Sequence, residues 1–210
     1  MDRIPWTPAM VSNAGDFATA AIRNYWEHRL VREAMVVAAA HQPIRVAYDI
    51  GTGYGRMTRV LAEFANQVIG FERDPSLLAK GRILNPDVVF VPIQHVGAIP
   101  AEDGSADFAL TFTVLQHLTD ATCHAALLEI KRLVKHGHIL LVEEADEAQS
   151  IRDLPHDETA CCRHRSVERY KAEMWPWNLT GTWPRRIEPT ALQPDVGTAM
   201  LFASDAQNLG

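Results

Sequence analysis

Three glycines on alternate positions, Gly51, Gly53 and Gly55, follow an apolar run in AYDIGTGYGRMT, and a carboxylate, Asp49, stands two residues ahead of the first. Glycines where a strand turns into a helix let the backbone bend sharply and leave main-chain N–H groups open to a ligand. That device alone is unspecific, because dinucleotides and other adenosyl compounds share it. Asp49 narrows the choice: a pyrophosphate beside it is repelled, whereas an ammonium or a sulfonium is attracted in a partly desolvated cleft. The spacing G-x-G-x-G also departs from the dinucleotide pattern G-x-G-x-x-G. Glu72, twenty-one residues past Gly51, stands where an acidic side chain accepts both hydroxyls of an unphosphorylated ribose. A zwitterionic amino acid joined to an adenosyl group meets all of these conditions.

The elements that must position these residues follow from the hydrophobic pattern. Residues from about Asp16 to Ala40 lack Gly and Pro and space large apolar residues at helical intervals, which predicts one long helix or two short ones. IRVAYDI is a continuous β-branched and aromatic run of the kind buried on both faces of a parallel sheet. A helix over about Tyr54 to Phe64, the strand QVIGFE, the helix PSLLAKGRIL, the strands VVFVPI and DFALTFTV, a helix from Asp120 to Val134 and the strand HILLVEE follow. This alternation predicts an α/β doubly wound parallel sheet, with ligands beyond the carboxyl ends of the strands. After Glu144 come a polar segment, a short helix in RSVERYKAEMW, and two strands, WNLTGTWPRRIEP and GTAMLFAS, expected to pair antiparallel at one sheet edge. One domain is expected over 1–210: a helical cap (1–42), a cofactor-binding core (43–145), and a substrate loop, helix and strand pair (146–210).

Twenty basic against twenty-six acidic residues give a formal charge of −6 across 210 residues. No global field draws such a chain to nucleic acid or to an anionic membrane. No apolar run is long enough to span a membrane, and the start MDRIPWTPAM has no leader pattern, so a cytoplasmic location is expected. Cys161 and Cys162 are neighbours and Cys123 is distant, which is neither a disulfide framework nor a zinc spacing. No metal site is expected.

From Val46 to Glu144 the chain resembles the class I S-adenosylmethionine-dependent methyltransferases, in their small-molecule type 11 group. Four blocks carry the resemblance in order: YDIGTGYGRMTRVLA, VIGFERDPSLLAKGR, SADFALTFTVLQHLTD and LLEIKRLVKHGHILLVEE. It implies a Rossmann-like seven-stranded sheet with an antiparallel last strand, and S-adenosyl-L-methionine as cofactor. By position, Asp49, Gly51, Thr52, Gly53, Tyr54 and Gly55 would line its methionine part, Glu72 its ribose and Arg73 its adenine. Thr111 and Phe112 would lie under the sulfonium and its methyl group. Two departures stand out. Where relatives carry an Asp facing the adenine amino group, this chain has Gln94 and His95, either of which has an acceptor atom. The usual Lys-Pro-Gly-Gly turn reads KHGH, Lys135 to His138.

Methyl transfer is an in-line displacement, so the protein must hold the acceptor about 3 Å from the methyl carbon at the right angle. A hydroxyl or protonated amine acceptor must also lose a proton, and His117, just after strand four, is the first candidate base. Its alternative role is to shape the start of the next helix. Glu143 and Glu144 end strand five, where alternation turns one toward the cleft and the other away. His164 and Arg165 lie in a segment that resembles the loop covering the acceptor pocket in relatives; its alternative role is a helix start with surface charges. Trp175, Trp177 and Trp183 are either walls of an aromatic pocket or core, and Tyr25 and Trp26 are candidates to close the cofactor cleft from the N-terminal helix. The expected reaction is O- or N-methylation of a small-molecule acceptor. A nicotinamide-dependent oxidoreductase and a non-catalytic adenosyl-binding subunit remain as alternatives. Methylation of nucleic acid is not expected, since TFTV replaces the Asn-Pro-Pro-Tyr type of sequence that grips a flipped base.

Overall fold

The structure, a computed structural model, describes residues 17–144, 163–185 and 197–204, with side chains from residue 21 onward. A helix α1 (Phe17–His41) leads into β1 (Ile44–Ile50), and after the glycine turn a short α2 (Thr58–Leu61) leads to β2 (Ala65–Glu72). The chain continues through α3 (Pro75–Leu84), β3 (Val89–Pro92), β4 (Phe108–Phe112), a single 3-10 turn at Leu115–His117, α4 (Asp120–Val134) and β5 (His138–Glu143). It closes with α5 (Val167–Met174), β6 (Asn178–Pro184) and β7 (Thr198–Ala203).

The seven strands form one sheet in the order β3-β2-β1-β4-β5-β7-β6. β1 pairs in parallel with both β2 and β4, and β5 continues that direction beside β4. β7 runs antiparallel to both β5 and β6, as the C-terminal strand pattern predicts. The strand order reverses between β1 and β4, and at such a switch point the loops leaving the two strands part to open a crevice.

Alternation along the strands sends side chains to two cores. On one face α1 packs Val31, Ala34 and Met35 over Ala47, Phe108, Leu110, Leu140 and Val142. On the other, α4 and α5 pack Leu127, Ile130, Tyr170 and Met174 over Tyr48, Ile50, Ile139 and Leu141. The helices start where the sequence places caps. Asp74 accepts from the N–H groups of Ser76 and Leu77 with Pro75 at the first helical position, and Thr119 accepts from the N–H of Thr122. α2 is much shorter than the expected Tyr54–Phe64, because glycines in the left-handed region hold the chain in turns until Met57. Among the described residues no helix is long and apolar enough to cross a membrane.

Candidate active site

The turn after β1 is shaped by backbone conformations that a side chain would strain. Gly51, Gly53 and Gly55 have φ of 72°, 59° and 80°. A Cβ on Gly51 would come within 2.6 Å of Val114, in the loop after β4, so the loops of the switch point touch at bare backbone. The N–H groups of Gly51 and Thr52 donate to the Phe71 carbonyl at 2.8 and 3.0 Å, fastening the turn to the end of β2.

Asp49 lies beneath this turn and is 2% exposed. The Thr52 hydroxyl donates to its Oδ2 at 2.7 Å. Burial pushes its carboxyl up to about 7, against the pull of that hydrogen bond and of the Arg56 guanidinium. A buried carboxylate held this way favours a cationic neighbour, which is the fit an amino-acid ammonium or a sulfonium requires. Glu72 bridges the crevice: its Oε2 accepts from Gly53 N at 2.9 Å, and its Oε1 from the N–H groups of Arg73 and Asp74. A carboxylate offers about four lone-pair positions, so a ribose hydroxyl finds room beside these three amides.

Other residues read for the cofactor are disposed differently. The Tyr54 ring lies 4.4 Å from Lys80 Nζ and so turns toward α3. Gln94, His95 and Arg73 are exposed. The N–H of Gly97 donates to His95 Nδ1 at 3.2 Å, so a neutral ring keeps its proton on Nε2 and offers adenine a donor rather than the expected acceptor. Thr111 is fully buried with its hydroxyl on Glu143, on the opposite sheet face from Phe112. Only one of the two can lie under a methyl group, and Phe112 is on the same face as Asp49.

Glu143 departs from the expected rim position. It is fully buried on the α4 side, and its two oxygens accept from Thr111 Oγ1 and from the N–H groups of Val114, Leu115 and Gln116 at 3.0 to 3.2 Å. Strand alternation explains the placement: Leu141 and Glu143 share a face, and the 3-10 turn folds over that face. Burial pushes the Glu143 carboxyl up to about 7 despite these donors. Arg165 is also buried rather than lining a pocket. It donates to the carbonyls of Leu115 and Leu118 and to Asp120 Oδ1, so the segment after β4 is tied down from both ends. Burial raises the Asp120 carboxyl, but hydrogen bonds from Arg169 and Arg165 outweigh it and hold the group at about 2.

The histidines do reach the carboxyl ends of the strands. His117 ends the anchored 3-10 turn and is half-buried. His164 Nε2 lies 3.7 Å from Glu144 Oε2, both partly exposed, and Gln116 holds this corner: its backbone carbonyl accepts from Arg163 N and its Oε1 from the Glu144 N–H. Of the tryptophans, Trp177 is core, Trp183 packs against the α1-side core and Trp175 is 77% exposed. Tyr25 is exposed and meets Trp26 edge-on at 5.3 Å. Cys161 and Cys162 lie outside the described residues.

Sequence reasoning passed over one cluster entirely. Glu27 of α1, 1% exposed, receives Arg185 through Nε and Nη2 at 3.0 and 2.5 Å, Arg23 through Nε at 3.2 Å, and Arg56 through Nη1. The Arg56 and Arg185 guanidiniums lie 5.0 and 5.1 Å from the centre of the Phe112 ring. Burial alone would raise the Glu27 carboxyl, but Arg56, Arg185 and Arg23 together hold it down at about 2. Arg56 was visible as the residue after the third glycine, whereas nothing in the sequence marks Glu27 or Arg185 as its partners.

A seven-stranded sheet of this order, with a glycine turn and an acidic residue at its switch point, defines a Rossmann-like methyltransferase fold. Solved structures agree in fold. A phosphoethanolamine N-methyltransferase of Haemonchus contortus, in complex with phosphoethanolamine and S-adenosylhomocysteine, superposes with a TM-score of 0.67 at 17% identity, over 92% of this chain and 46% of that one. The N-methyltransferase NodS of Bradyrhizobium japonicum, in complex with S-adenosylhomocysteine, gives 0.65 at 12% identity, over 86% and 88%. Residues 48–142 match the family described as methyltransferase domain. A probable S-adenosylmethionine-dependent methyltransferase of Mycolicibacterium smegmatis is 30% identical over 126 residues, 58% of this chain and 46% of its own. An uncharacterized 37.1 kDa transposon protein of Streptomyces fradiae is 31% identical over 166 residues, 76% of this chain and 46% of its own. The chain thus spans about half the length of these curated relatives. Over residues 48–142 it carries an S-adenosylmethionine-dependent methyltransferase domain.

Proposed function

We propose that this protein transfers a methyl group from S-adenosylmethionine to an oxygen or nitrogen atom of a small-molecule acceptor. The observation that carries the reading is Asp49, a buried carboxylate beneath bare glycine backbone, suited to a positively charged adenosyl compound. When bound, S-adenosylmethionine supplies an electrophilic methyl group on a sulfonium. The protein's part is placement: Asp49 and the glycine turn hold the amino-acid end, Glu72 takes the ribose, and Phe112 forms an apolar floor. Two titratable side chains near the carboxyl ends of β4 and β5 are proposed to take the acceptor proton. His117 stands on the turn that Glu143 anchors, and His164 has Glu144 beside it. The small acceptor suits the net charge of −6, which offers no attraction to nucleic acid. That two structures of the same fold are N-methyltransferases agrees with this acceptor class.

The cofactor reading is tested by thermal shift and calorimetry, with S-adenosylmethionine or S-adenosylhomocysteine expected to bind and NAD expected not to. Preferential binding of NAD would overturn it. For the base, once an acceptor is found by screening amines and phenols, His117→Ala is expected to lower turnover about 10²-fold. A near-wild-type rate in His117→Ala, with the loss appearing in His164→Ala, moves the role to the Glu144-paired histidine.

A further inference from the structure

A glycine-rich turn has little shape of its own. Gly51, Gly53 and Gly55 all sit at positive φ, and glycine populates negative φ with equal ease, so the shape that meets a ligand has to be imposed by neighbours. One restraint lies on the crevice side, where Glu72 holds the Gly53 N–H at 2.9 Å with a carboxylate that is also read for the ribose. The other comes from a residue outside every block read for the site. Asn85, 7% exposed in the turn between α3 and β3, reaches back 31 positions: its Nδ2 donates to the Tyr54 carbonyl at 3.1 Å and to the Gly81 carbonyl at 3.4 Å. Its Oδ1 accepts from Arg59 Nε at 3.0 Å. A guanidinium only donates and a carbonyl only accepts, so a single orientation of the amide satisfies all three partners. The Asn85 backbone is fixed as well, with its N–H on the Gly81 carbonyl at 2.8 Å and its carbonyl taking the Val88 N–H at 3.1 Å. A Cβ on Gly55 would come within 2.7 Å of Asn85 Nδ2 and of the Phe90 ring, so the turn is pressed directly against this support. With Lys80 4.4 Å from the Tyr54 ring, α3 and its end meet Tyr54 at both ring and carbonyl.

From this arrangement we infer that Asn85 is a positioning residue for cofactor binding: through the Tyr54 carbonyl it holds the glycine turn in the shape that receives S-adenosylmethionine, acting on the turn rather than on the cofactor. The inference rests on S-adenosylmethionine binding in the crevice beside this turn. Apparent affinity scales with the fraction of free protein already in the competent shape, so a turn released from its support binds more weakly by that fraction. Calorimetry on the full chain, with S-adenosylhomocysteine as the probe, compares wild-type protein with Asn85→Asp, Asn85→Ser and Arg82→Gln at a temperature where melting curves show each variant folded. Asn85→Asp keeps the size of the side chain and an acceptor for Arg59 but has no N–H for Tyr54, and Asn85→Ser is the neutral variant should the carboxylate prevent folding. Both are expected to weaken binding about tenfold. Arg82→Gln removes another contact of the same helix, Arg82 Nη2 on the Phe90 carbonyl at 3.0 Å, without touching the turn. It is expected to lower the melting temperature and to leave affinity within about twofold of wild type. Wild-type affinity in the folded Asn85 variants overturns the inference and leaves the cofactor reading standing. Equal weakening by Arg82→Gln also overturns it, since general loosening of α3 then accounts for the loss. Weakening in only one Asn85 variant, both being folded, assigns the loss to added charge or lost volume and overturns it too. Failure of both to fold gives Asn85 a purely structural role, with the same result. No binding by wild-type protein overturns the cofactor reading, and this inference with it.

Discussion

At neutral pH the Asp49 carboxyl is poised between its two protonation states, because burial has pushed it up to about 7. A cationic ligand binds the ionised form, so ligand-free protein must release a proton to bind below that pH. The affinity for S-adenosylmethionine is therefore expected to rise about tenfold per unit between pH 5.5 and 7 and then to level, as read by calorimetry. Asp49→Asn should flatten this profile and weaken binding at least about tenfold at pH 8, since the amide keeps the shape without the charge. Glu143 shows how the same chemistry can mislead at this scale. Two consecutive glutamates at a strand end read as rim residues, but alternation turns Glu143 inward, where three backbone N–H groups await an acceptor. Its role is to position the turn that carries His117.

Elements whose boundaries depend on neighbouring residues were legible. α3 and α4 begin where Asp74, Pro75 and Thr119 place them, because a cap is a contact within a few residues. The glycine turn and Asp49 were legible for the same reason, and the parallel, doubly wound arrangement followed from the alternation of strands with helices. What was not legible is the docking of α1. Its charged residues alternate with apolar ones, and Glu27 has the look of any solvated helix glutamate until the fold brings Arg185, 158 residues away, onto it. This pair is a joint between the first helix and the last strands, since Arg185 also donates its N–H to the Gly197 carbonyl at 2.8 Å. Glu27→Ala strands a buried guanidinium, so a loss of about 3–5 kcal/mol is expected in chemical denaturation. A loss below about 1 kcal/mol, the range of exposed pairs, would show that water reaches the cluster.

Across the described residues, the four carboxyls displaced furthest from their usual range divide into two groups of opposite sign. Asp49 and Glu143, both pushed up to about 7, hold protons more tightly folded than unfolded, so stability falls as pH rises from about 4 through 7. Glu27 and Asp120, both held at about 2, contribute stability that is present above about 4 and is lost as pH drops toward 2. Ligand-free protein is thus expected to melt at its highest temperature near pH 4 to 5 and at a lower one at pH 7.5. Added S-adenosylmethionine, by favouring ionised Asp49, should remove part of the decline, and a melting temperature that climbs steadily to pH 7.5 without ligand would contradict this balance. The pairing of Glu27 with Arg185 carries one more consequence, for the order of events during translation. A nascent chain released up to β5 already possesses the glycine turn, Arg23 and Arg56, yet it still lacks Arg185, the most deeply buried of the three arginines on Glu27. The ribosome therefore has to deliver β6 and Arg185 before the wall beside that turn can close, so cofactor capture waits on a residue far downstream of the turn itself.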